Sequence, residues 1–316
     1  VCGWLTTWMI PADVLAWKLV SLLYTATMVW LPIVSCSGVV VNVAVATALI
    51  IVIGVIEGID NNIFGKVIEI QPHIRIGTEN GDPLADPDAV IAKGDLTCEG
   101  TEEEYGAFLA MYGRFGDRLH HVRGNHDAMR DPTLALEGAP YAVELGGATL
   151  AVIDTVRPTS AGGQISPDQI GWLEETARAT SGPVLVFGHH QVWDVHAPDR
   201  PTDYFGIDPD SSEAFVAVVG RCENIVGYFA GHTHRHRIRR SERARFIPCV
   251  EVGATKDYPG VWAEYRIHEG GFTQIVHRIS TQAALDWTER TRFLYAGMYR
   301  EYSLGPLEHR SFTEVY

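Results

Sequence analysis

The sequence predicts an α+β fold in which a two-sheet β-sandwich is flanked by helices. Three observations support this prediction: short apolar runs followed by turn residues, helices with recognisable first residues, and glycine pairs where strands would reverse direction. We divide the 316 residues into a hydrophobic N-terminal segment that we expect to be helical (1–66), a main domain (67–280), and a C-terminal helix and tail packed on that domain (281–316).

Brief apolar runs in the main domain have the length and composition of β-strands. They are Val67–Gln71, Ala89–Ala92, Leu119–Val122, Tyr141–Leu145, Thr149–Ile153, Val184–Phe187 and Ile225–Phe229. Glycine pairs at 146–147 and 270–271 predict hairpin turns. Two hairpins beside strand–loop–helix units are typical of two packed sheets with helices outside.

The helices of the main domain have predictable starts. Thr101 and Glu104 form a capping box ahead of a helix that we expect to run to about Phe115. Ser166 followed by Pro167 marks the start of a second helix. Helical periodicity over Gln282–Tyr299 predicts a third helix, docked on the domain.

The N-terminal segment is almost free of charge. Residues 1–66 hold only five charged side chains, at positions 13, 18, 57, 60 and 66, and residues 39–56 hold none. An apolar run of this length can cross a bilayer as a helix, and a second run at 19–34 suggests a membrane helical hairpin through residues 19–56. Lys18 and Lys66 would then place the main domain on the cytoplasmic side. The alternatives are a strand-forming core segment at 39–56 and a soluble cytoplasmic protein.

The overall charge argues against polymeric nucleic acid as a partner. Twenty-five Lys and Arg oppose thirty-nine Asp and Glu, a formal charge of −14. Such a surface repels phosphate polymers. A small substrate and an undetermined oligomeric state remain compatible with this composition.

Four short motifs at the ends of apolar runs contain residue types that bind metals. They read Gly94-Asp95, Gly124-Asn125-His126-Asp127, Gly188-His189-His190 and Gly231-His232-Thr233-His234. Each motif alone is common in turns, whereas four together indicate a metal site. Asp, Asn and His without Cys favour manganese, iron, cobalt or zinc.

The motifs suggest two cations. His232 and His234 are one residue apart and can serve neighbouring ions, and the carboxylate of Asp95 is the best candidate for a bridge. Two metals about 3.5–4 Å apart would hold a phosphoryl group and activate a shared water for attack. His126 could then protonate the leaving oxygen.

The ordered motif set resembles the calcineurin-like metallophosphoesterase superfamily, and within it the bacterial class III 3′,5′-cyclic-nucleotide phosphodiesterases. Three further segments also resemble sequences of this family, namely Gly94–Thr97, Ile153–Thr155 and Gln169–Leu173. The resemblance covers roughly residues 67–280 and implies a four-layer α/β/β/α arrangement.

The resemblance also implies roles for single residues. One metal would be bound by His73, Asp95 and His234, and the other by Asp95, Asn125, His189 and His232, with His126 as proton donor. His190 and Asp127 would support these ligands without binding metal.

One position departs from the family pattern. Where the family's first motif begins with Asp, this chain has Gln71, two residues before His73. A neutral amide oxygen binds a divalent cation less strongly than a carboxylate does. Glu69 is a poor substitute, because two residues along a strand put it about 6–7 Å from the required place. We therefore expect the first metal site to be weakened.

These residues predict a dinuclear-metal-dependent phosphohydrolase. We expect a phosphodiesterase that hydrolyses 3′,5′-cyclic nucleotides or similar small phosphodiesters through a metal-activated hydroxide. One alternative is a phospholipid head-group or nucleotide-lipid pyrophosphatase at the membrane. Another is a degenerate protein that binds a single metal and has little activity.

Overall fold

The computed structural model describes residues 48–53, 87–136 and 138–316. The strands are β1 Ala48–Ile53, β2 Ala89–Lys93, β3 Leu119–Val122, β4 Tyr141–Leu145, β5 Ala148–Val152, β6 Val184–Phe187, β7 Ile225–Ala230, β8 Arg237–Arg239, β9 Cys249–Glu251, β10 Val261–His268, β11 Gly271–Arg278 and β12 Phe312–Val315. The α-helices are α1 Glu102–Tyr112, α2 Pro167–Ala179, α3 Pro209–Arg221, α4 Gln282–Glu289 and α5 Tyr299–Leu304.

The strands of the described residues form two six-stranded sheets. The first has the order β12-β11-β10-β1-β2-β3, and the second has the order β4-β5-β6-β7-β9-β8. Strands β1, β2 and β3 run parallel, as do β5, β6, β7 and β9. Parallel strands bring their carboxyl ends to one edge of a sheet, so loops from several strands meet there.

The two sheets pack face to face because side chains alternate along each strand. Ile91 of β2 and Phe187 of β6 lie in the apolar cluster between the sheets, where they meet Phe229 and Tyr265. This cluster fixes the distance between the two sheet edges.

The opposite face of each sheet is covered by helices. In the first sheet, Val90 and Ala92 pack against Phe108 of α1. In the second, Val186 packs in a cluster with residues of α2 and α3, including Phe215. The expected sandwich flanked by helices is therefore present, with parallel strands in both sheets.

Local signals in the sequence are confirmed at several places. The Thr101 hydroxyl accepts the Glu104 N–H, and Ser166 caps α2 with Pro167 in the first turn. The strand pairs β4–β5 and β10–β11 form the two expected hairpins.

The apolar run at 39–56 does not form a helix where the structure describes it. Residues 48–53 form β1, which pairs antiparallel with β10 and parallel with β2. The prediction of a helix is wrong for these six residues. Val and Ile favour strands, and a strand paired on both sides is typically a continuous apolar run. This strand lies ahead of the expected domain start at 67.

The rest of the hairpin prediction, the strand Val67–Gln71 and the residues Gln71 and His73 lie outside the described residues. Within the described part of the chain, no helix is both long and apolar enough to cross a bilayer.

The C-terminal region differs from one long helix. Helix α4 ends at Glu289, and the Thr291 hydroxyl then donates to the Thr288 carbonyl and accepts the Tyr258 N–H at 2.8 Å. These side-chain hydrogen bonds compete with the backbone hydrogen bonds that would continue the helix. After α5 the tail returns as β12, which pairs with β11 at the edge of the first sheet.

Candidate metal centre

The four motifs follow the carboxyl ends of four parallel strands. Asp95 lies two residues after β2, Asn125 three after β3, His189 two after β6 and His232 two after β7. Two of these strands belong to each sheet. The sandwich thus places the motifs on loops anchored by buried strands.

Three of the candidate residues converge on a nitrogen atom of a fourth. His189 Nε2 lies 3.2 Å from Asn125 Oδ1, 3.2 Å from His232 Nδ1 and 3.3 Å from Asp95 Oδ1. All four side chains are buried. The structure therefore brings together the full set that the sequence assigns to one metal.

The arrangement around His189 suits a cation. His189 Nδ1 lies 2.6 Å from the carbonyl oxygen of Lys93. A carbonyl only accepts, so Nδ1 carries the proton and Nε2 presents a lone pair. This lone pair faces the oxygens of Asp95 and Asn125. Electron-pair donors that face one another in a buried site repel unless a cation lies among them, and a histidine held through its other nitrogen is the usual support for a metal ligand.

Asp95 is ionised at neutral pH. Burial opposes its ionisation, but His189, His126 and His232 lower its pKa well below the ordinary value. Its Oδ1 also accepts the backbone N–H of His126 at 3.1 Å. The carboxylate is therefore a fixed negative charge at the centre of the cluster.

Asp127 connects two of the motif loops. Its Oδ1 accepts the N–H and the hydroxyl of Thr97, both at 2.8 Å, and its Oδ2 accepts the N–H groups of Leu96 at 3.1 Å and Gly124 at 2.6 Å. Burial and the charge of Asp95 raise the pKa of Asp127 to about 6, against these hydrogen bonds. Because its two oxygens accept hydrogen bonds from both loops, Asp127 fixes the loop after β2 to the loop after β3.

His126 has one defined tautomer. Its Nδ1 lies 2.8 Å from the carbonyl oxygen of Cys98, so Nδ1 donates. Nε2 is then the nitrogen that can gain or lose a proton. The ring is buried, and its backbone N–H is bound to Asp95.

His190 lies beside the cluster and is a hydrogen-bond donor there. A nitrogen of His190 lies within 4.8 Å of nitrogens of His189 and His232, so distance alone would allow a third nitrogen ligand. Thr155 Oγ1, however, accepts the N–H groups of His189 at 3.2 Å and His190 at 3.1 Å. Both of its lone pairs are used, so its proton goes to His190 Nδ1 at 2.9 Å.

A neutral His190 therefore carries its proton on Nε2. Burial, and next to it His189, lower the pKa of His190 well below 6.5, which keeps the ring neutral. This Nε2 has no partner among the described residues. In this tautomer His190 offers an N–H to the site, and its expected role as a residue that does not bind metal stays a prediction.

His234 is held by a carboxylate that the motifs do not contain. His234 Nδ1 lies 2.7 Å from Asp257 Oδ2. Burial opposes protonation, but this bond raises the pKa of His234, and Asp95 adds to the effect. The contact directs Nε2 of His234 toward metal binding, as carboxylate–histidine pairs do. Of the residues expected with His234, Asp95 is described, whereas His73 and Gln71 lie outside the described residues.

The backbone at three candidate ligands is strained. Asp95, His232 and His234 have φ angles of 49°, 61° and 54°, in the left-handed region that non-glycine residues rarely adopt. Such conformations cost about 1–3 kcal/mol each and concentrate at functional sites. The glycines in front of two motifs also matter, because a Cβ at Gly94 would overlap the His189 ring and one at Gly124 would overlap Asp95.

Sequence reasoning missed two residues that support the site. Lys93 is fully buried, holds His189 through its carbonyl and donates from Nζ to the Ala230 carbonyl at 2.5 Å. The presence of a lysine inside an apolar strand could have indicated from the sequence that Lys93 has such a role. Asp257 had no such signal, because it lies in a loop far from the motifs in sequence.

The fold and this cluster of buried oxygen and nitrogen donors define a metal-binding phosphoesterase scaffold. The chain belongs to the calcineurin-like phosphoesterase family, whose model matches residues 63–236, more than half of the chain.

Two curated relatives match part of the chain. A glycerophosphodiester phosphodiesterase of Enterobacter lignolyticus is 29% identical over 163 residues, which are 47% of this chain and 56% of the relative. A cAMP/cGMP dual specificity phosphodiesterase of Mycobacterium tuberculosis is 31% identical over 119 residues, 34% of this chain and 37% of the relative. The chain therefore matches about half or less of each relative's length.

A solved structure shares the fold. A dimetal phosphatase of Danio rerio superposes with a TM-score of 0.54 at 13% identity and covers 73% of this chain and 96% of its own. At this identity the likeness concerns the fold alone.

Proposed function

We propose that this protein is a metal-dependent phosphodiesterase that hydrolyses small phosphodiesters. The observation that carries the proposal is the convergence of Asp95, Asn125 and His232 on His189 Nε2, at 3.2–3.3 Å. Membership of the calcineurin-like phosphoesterase family supports it. So do relatives named as phosphodiesterases for glycerophosphodiesters and for cyclic nucleotides.

The residues fit divalent cations. Asp95, Asn125, His189 and His232 would hold one ion, and Asp95, His234 and His73 a second, with Gln71 as a weak ligand. Bound cations would polarise the phosphoryl oxygens and lower the pKa of a bound water. Manganese, iron, zinc and cobalt all suit these donors.

The protein's own side chains would supply proton transfer and orientation. His126, fixed through Nδ1 to the Cys98 carbonyl, presents Nε2 as the group that protonates the leaving oxygen. His190 presents an N–H that can bind a phosphoryl oxygen in the buried cluster. The two histidines thus have different roles because their Nδ1 atoms have different partners.

The expected substrates are 3′,5′-cyclic nucleotides or similar small phosphodiesters. The ring of Phe205 packs on His232 with a centroid distance of 4.0 Å, while half of its surface stays exposed. A flat ring next to the site is a surface on which a base or an aryl group can stack. This contact favours diesters with an aromatic or heterocyclic substituent.

The test is hydrolysis of bis(p-nitrophenyl) phosphate in manganese by the wild type and by Asn125→Ala and His232→Ala. We expect both variants to lose turnover by at least about 100-fold, because each removes a donor from the cluster. His268→Ala, outside the four motifs, is the matched control and should retain turnover. Unchanged turnover in Asn125→Ala and His232→Ala would refute the proposal. Bound metal without any turnover in the wild type would favour the degenerate binding protein.

Placement of the domain at a cytoplasmic membrane surface stays a prediction, since residues 19–47 lie outside the described part. Fractionation of cells tests it: a membrane hairpin keeps the protein in the pellet after a mild salt wash. Release by that wash would refute the anchor, and with it the main reason to consider a lipid pyrophosphatase.

A further inference from the structure

A cleft of about 280 Å³ lies on the helix-covered face of the second sheet, next to the metal-centre loops. We call it the arginine groove, after the residues that line it: Arg237, Arg239 and Arg240, with Val192, Trp193 and Val195 on the apolar side. The candidate metal ligands do not line it. It is therefore a separate feature of the described structure.

The arginines of β8 share one face of the sheet. Side chains alternate along a strand, and Ile238 packs on the cluster between the sheets, so Arg237 and Arg239 lie on the opposite, helix-covered face. Arg239 donates to the Val192 carbonyl across the groove. Two guanidinium groups of one strand therefore lie on the groove side of the sheet.

In the described part of the chain, a single buried carboxylate opposes these cations. Glu251 accepts Arg235 Nε at 2.9 Å, and its other oxygen lies 3.7 Å from Arg239 Nε. Arg237 is directly opposite Glu251 in the β8–β9 register, but makes no side-chain hydrogen bond or ion pair with any described residue. Three arginines thus share one negative charge.

Among the described residues, no ion pair neutralises the charge of Arg237, and Glu251 compensates it only in part. Arg240 is already paired with Glu314 at 2.5 Å. Asp194, the acidic residue in the lining, is exposed and its Oδ1 accepts the His196 N–H. Burial and the neighbouring Arg239 lower the pKa of Arg237, although the charge of Glu251 raises it. In a chain of formal charge −14, such a cluster is a local exception.

The groove is within reach of a substrate bound at the metal centre. Arg237 follows His234 by three residues, and Val192 follows His189 by three. An extended chain spans at most about 3.6 Å per residue, so the Cα atoms of Arg237 and Val192 are each within about 11 Å of a candidate ligand's Cα. A nucleotide-sized molecule can bridge that distance.

We propose that the arginine groove binds a second phosphate group of the substrate, a group that is not hydrolysed. Arg237 and Arg239 bind this phosphate, and Trp193 and Val195 contact the adjoining apolar part. The inference rests on the proposed function and narrows it to phosphodiesters that carry a further phosphate. Planar guanidinium groups match phosphate oxygens in pairs, which gives this preference its strength.

The test compares two ligands that differ by one phosphate: adenosine 3′,5′-bisphosphate and adenosine 5′-monophosphate. Their dissociation constants are measured by calorimetry on the full chain in manganese. We expect the bisphosphate to bind about 10–100-fold more tightly, the range of one or two charge-assisted hydrogen bonds. In Arg237→Gln the ratio of the two dissociation constants should fall to near one.

Two further variants serve as controls. Arg243→Gln removes the same charge from an exposed position near the groove and should keep the wild-type ratio. Arg239→Lys retains the charge but not the paired geometry, and should keep part of the ratio. A wild-type ratio near one, or a ratio that Arg237→Gln leaves unchanged, would overturn the proposal.

Failure of the proposed function is distinguishable from failure of the groove. If no diester is hydrolysed but the ratio depends on Arg237, the phosphate site stands and the catalytic proposal fails. If diesters are hydrolysed and the ratio is near one, the catalytic proposal stands and the groove proposal fails.

Discussion

Lys93 Nζ donates a 2.5 Å hydrogen bond to the carbonyl oxygen of Ala230, which joins the end of β2 in the first sheet to the end of β7 in the second. The carbonyl of the same lysine holds His189. Burial lowers the pKa of Lys93 to about 7, although the charge of Glu251 raises it. One residue thus connects three of the motif loops.

Replacement of this lysine should weaken metal binding. In Lys93→Met the Ala230 carbonyl loses its donor, and the loop that carries His232 loses its tie to β2. We expect the dissociation constant for Mn²⁺ to rise about 10–100-fold, the usual effect of removing a supporting partner. Calorimetric titration of protein stripped with EDTA measures it, and circular dichroism verifies the fold. Wild-type affinity in a folded variant would contradict the role given to Lys93.

A methyl group at Gly124 should disrupt the centre, whereas one at Gly171 should not. A Cβ at Gly124 would overlap Asp95, while one at Gly171 meets nothing within 4 Å. We expect Gly124→Ala to lose most phosphodiesterase activity. Gly171→Ala, inside α2, should keep activity and gain about 0.5–1 kcal/mol in the free energy of unfolding. Denaturant unfolding and turnover assays measure both, and equal activities would show that the overlap at Gly124 is relieved.

Restoring a carboxylate at position 71 should fill the weakened metal site. Gln71→Asp supplies the negative charge that the family pattern has at this position. We expect the metal content per chain, measured by plasma mass spectrometry, to rise toward two, with a gain in turnover. The matched control is Gln71→Asn, which keeps the amide. No rise in metal content would count against the assignment of position 71.

Stability at alkaline pH should depend on Tyr112. Burial raises the pKa of the Tyr112 hydroxyl to about 12, with Arg114 opposing the shift. A raised pKa of the folded state gives stability that is complete below pH 10 and is lost as the pH rises to about 12. Two pH units correspond to at most about 3 kcal/mol. Between pH 10 and 12, the free energy of unfolding of the wild type, measured with denaturant, should fall by up to this amount more than that of Tyr112→Phe. Parallel pH profiles of the two proteins would refute the prediction.

The local parts of the fold could be predicted because their causes are local. The capping box at Thr101 and Glu104 and the glycine pair at 146–147 act over a few residues, and both formed as expected. The apolar run at 39–56 could not be assigned in this way. Its composition suits a membrane helix and a buried strand equally. Pairing with β10 and β2 makes residues 48–53 a strand.

The sequence by itself determined which residue types follow which strands, and therefore the four motifs and their donor chemistry. Only the tertiary structure decided that Asp257 would orient His234, that Thr155 would make His190 a donor, and that Lys93 would join two sheets. The physical reason is the distance along the chain over which each kind of interaction acts. Turns, caps and ligand types depend on neighbours in the chain, whereas a hydrogen bond between two sheets exists only after the apolar faces between those sheets have packed.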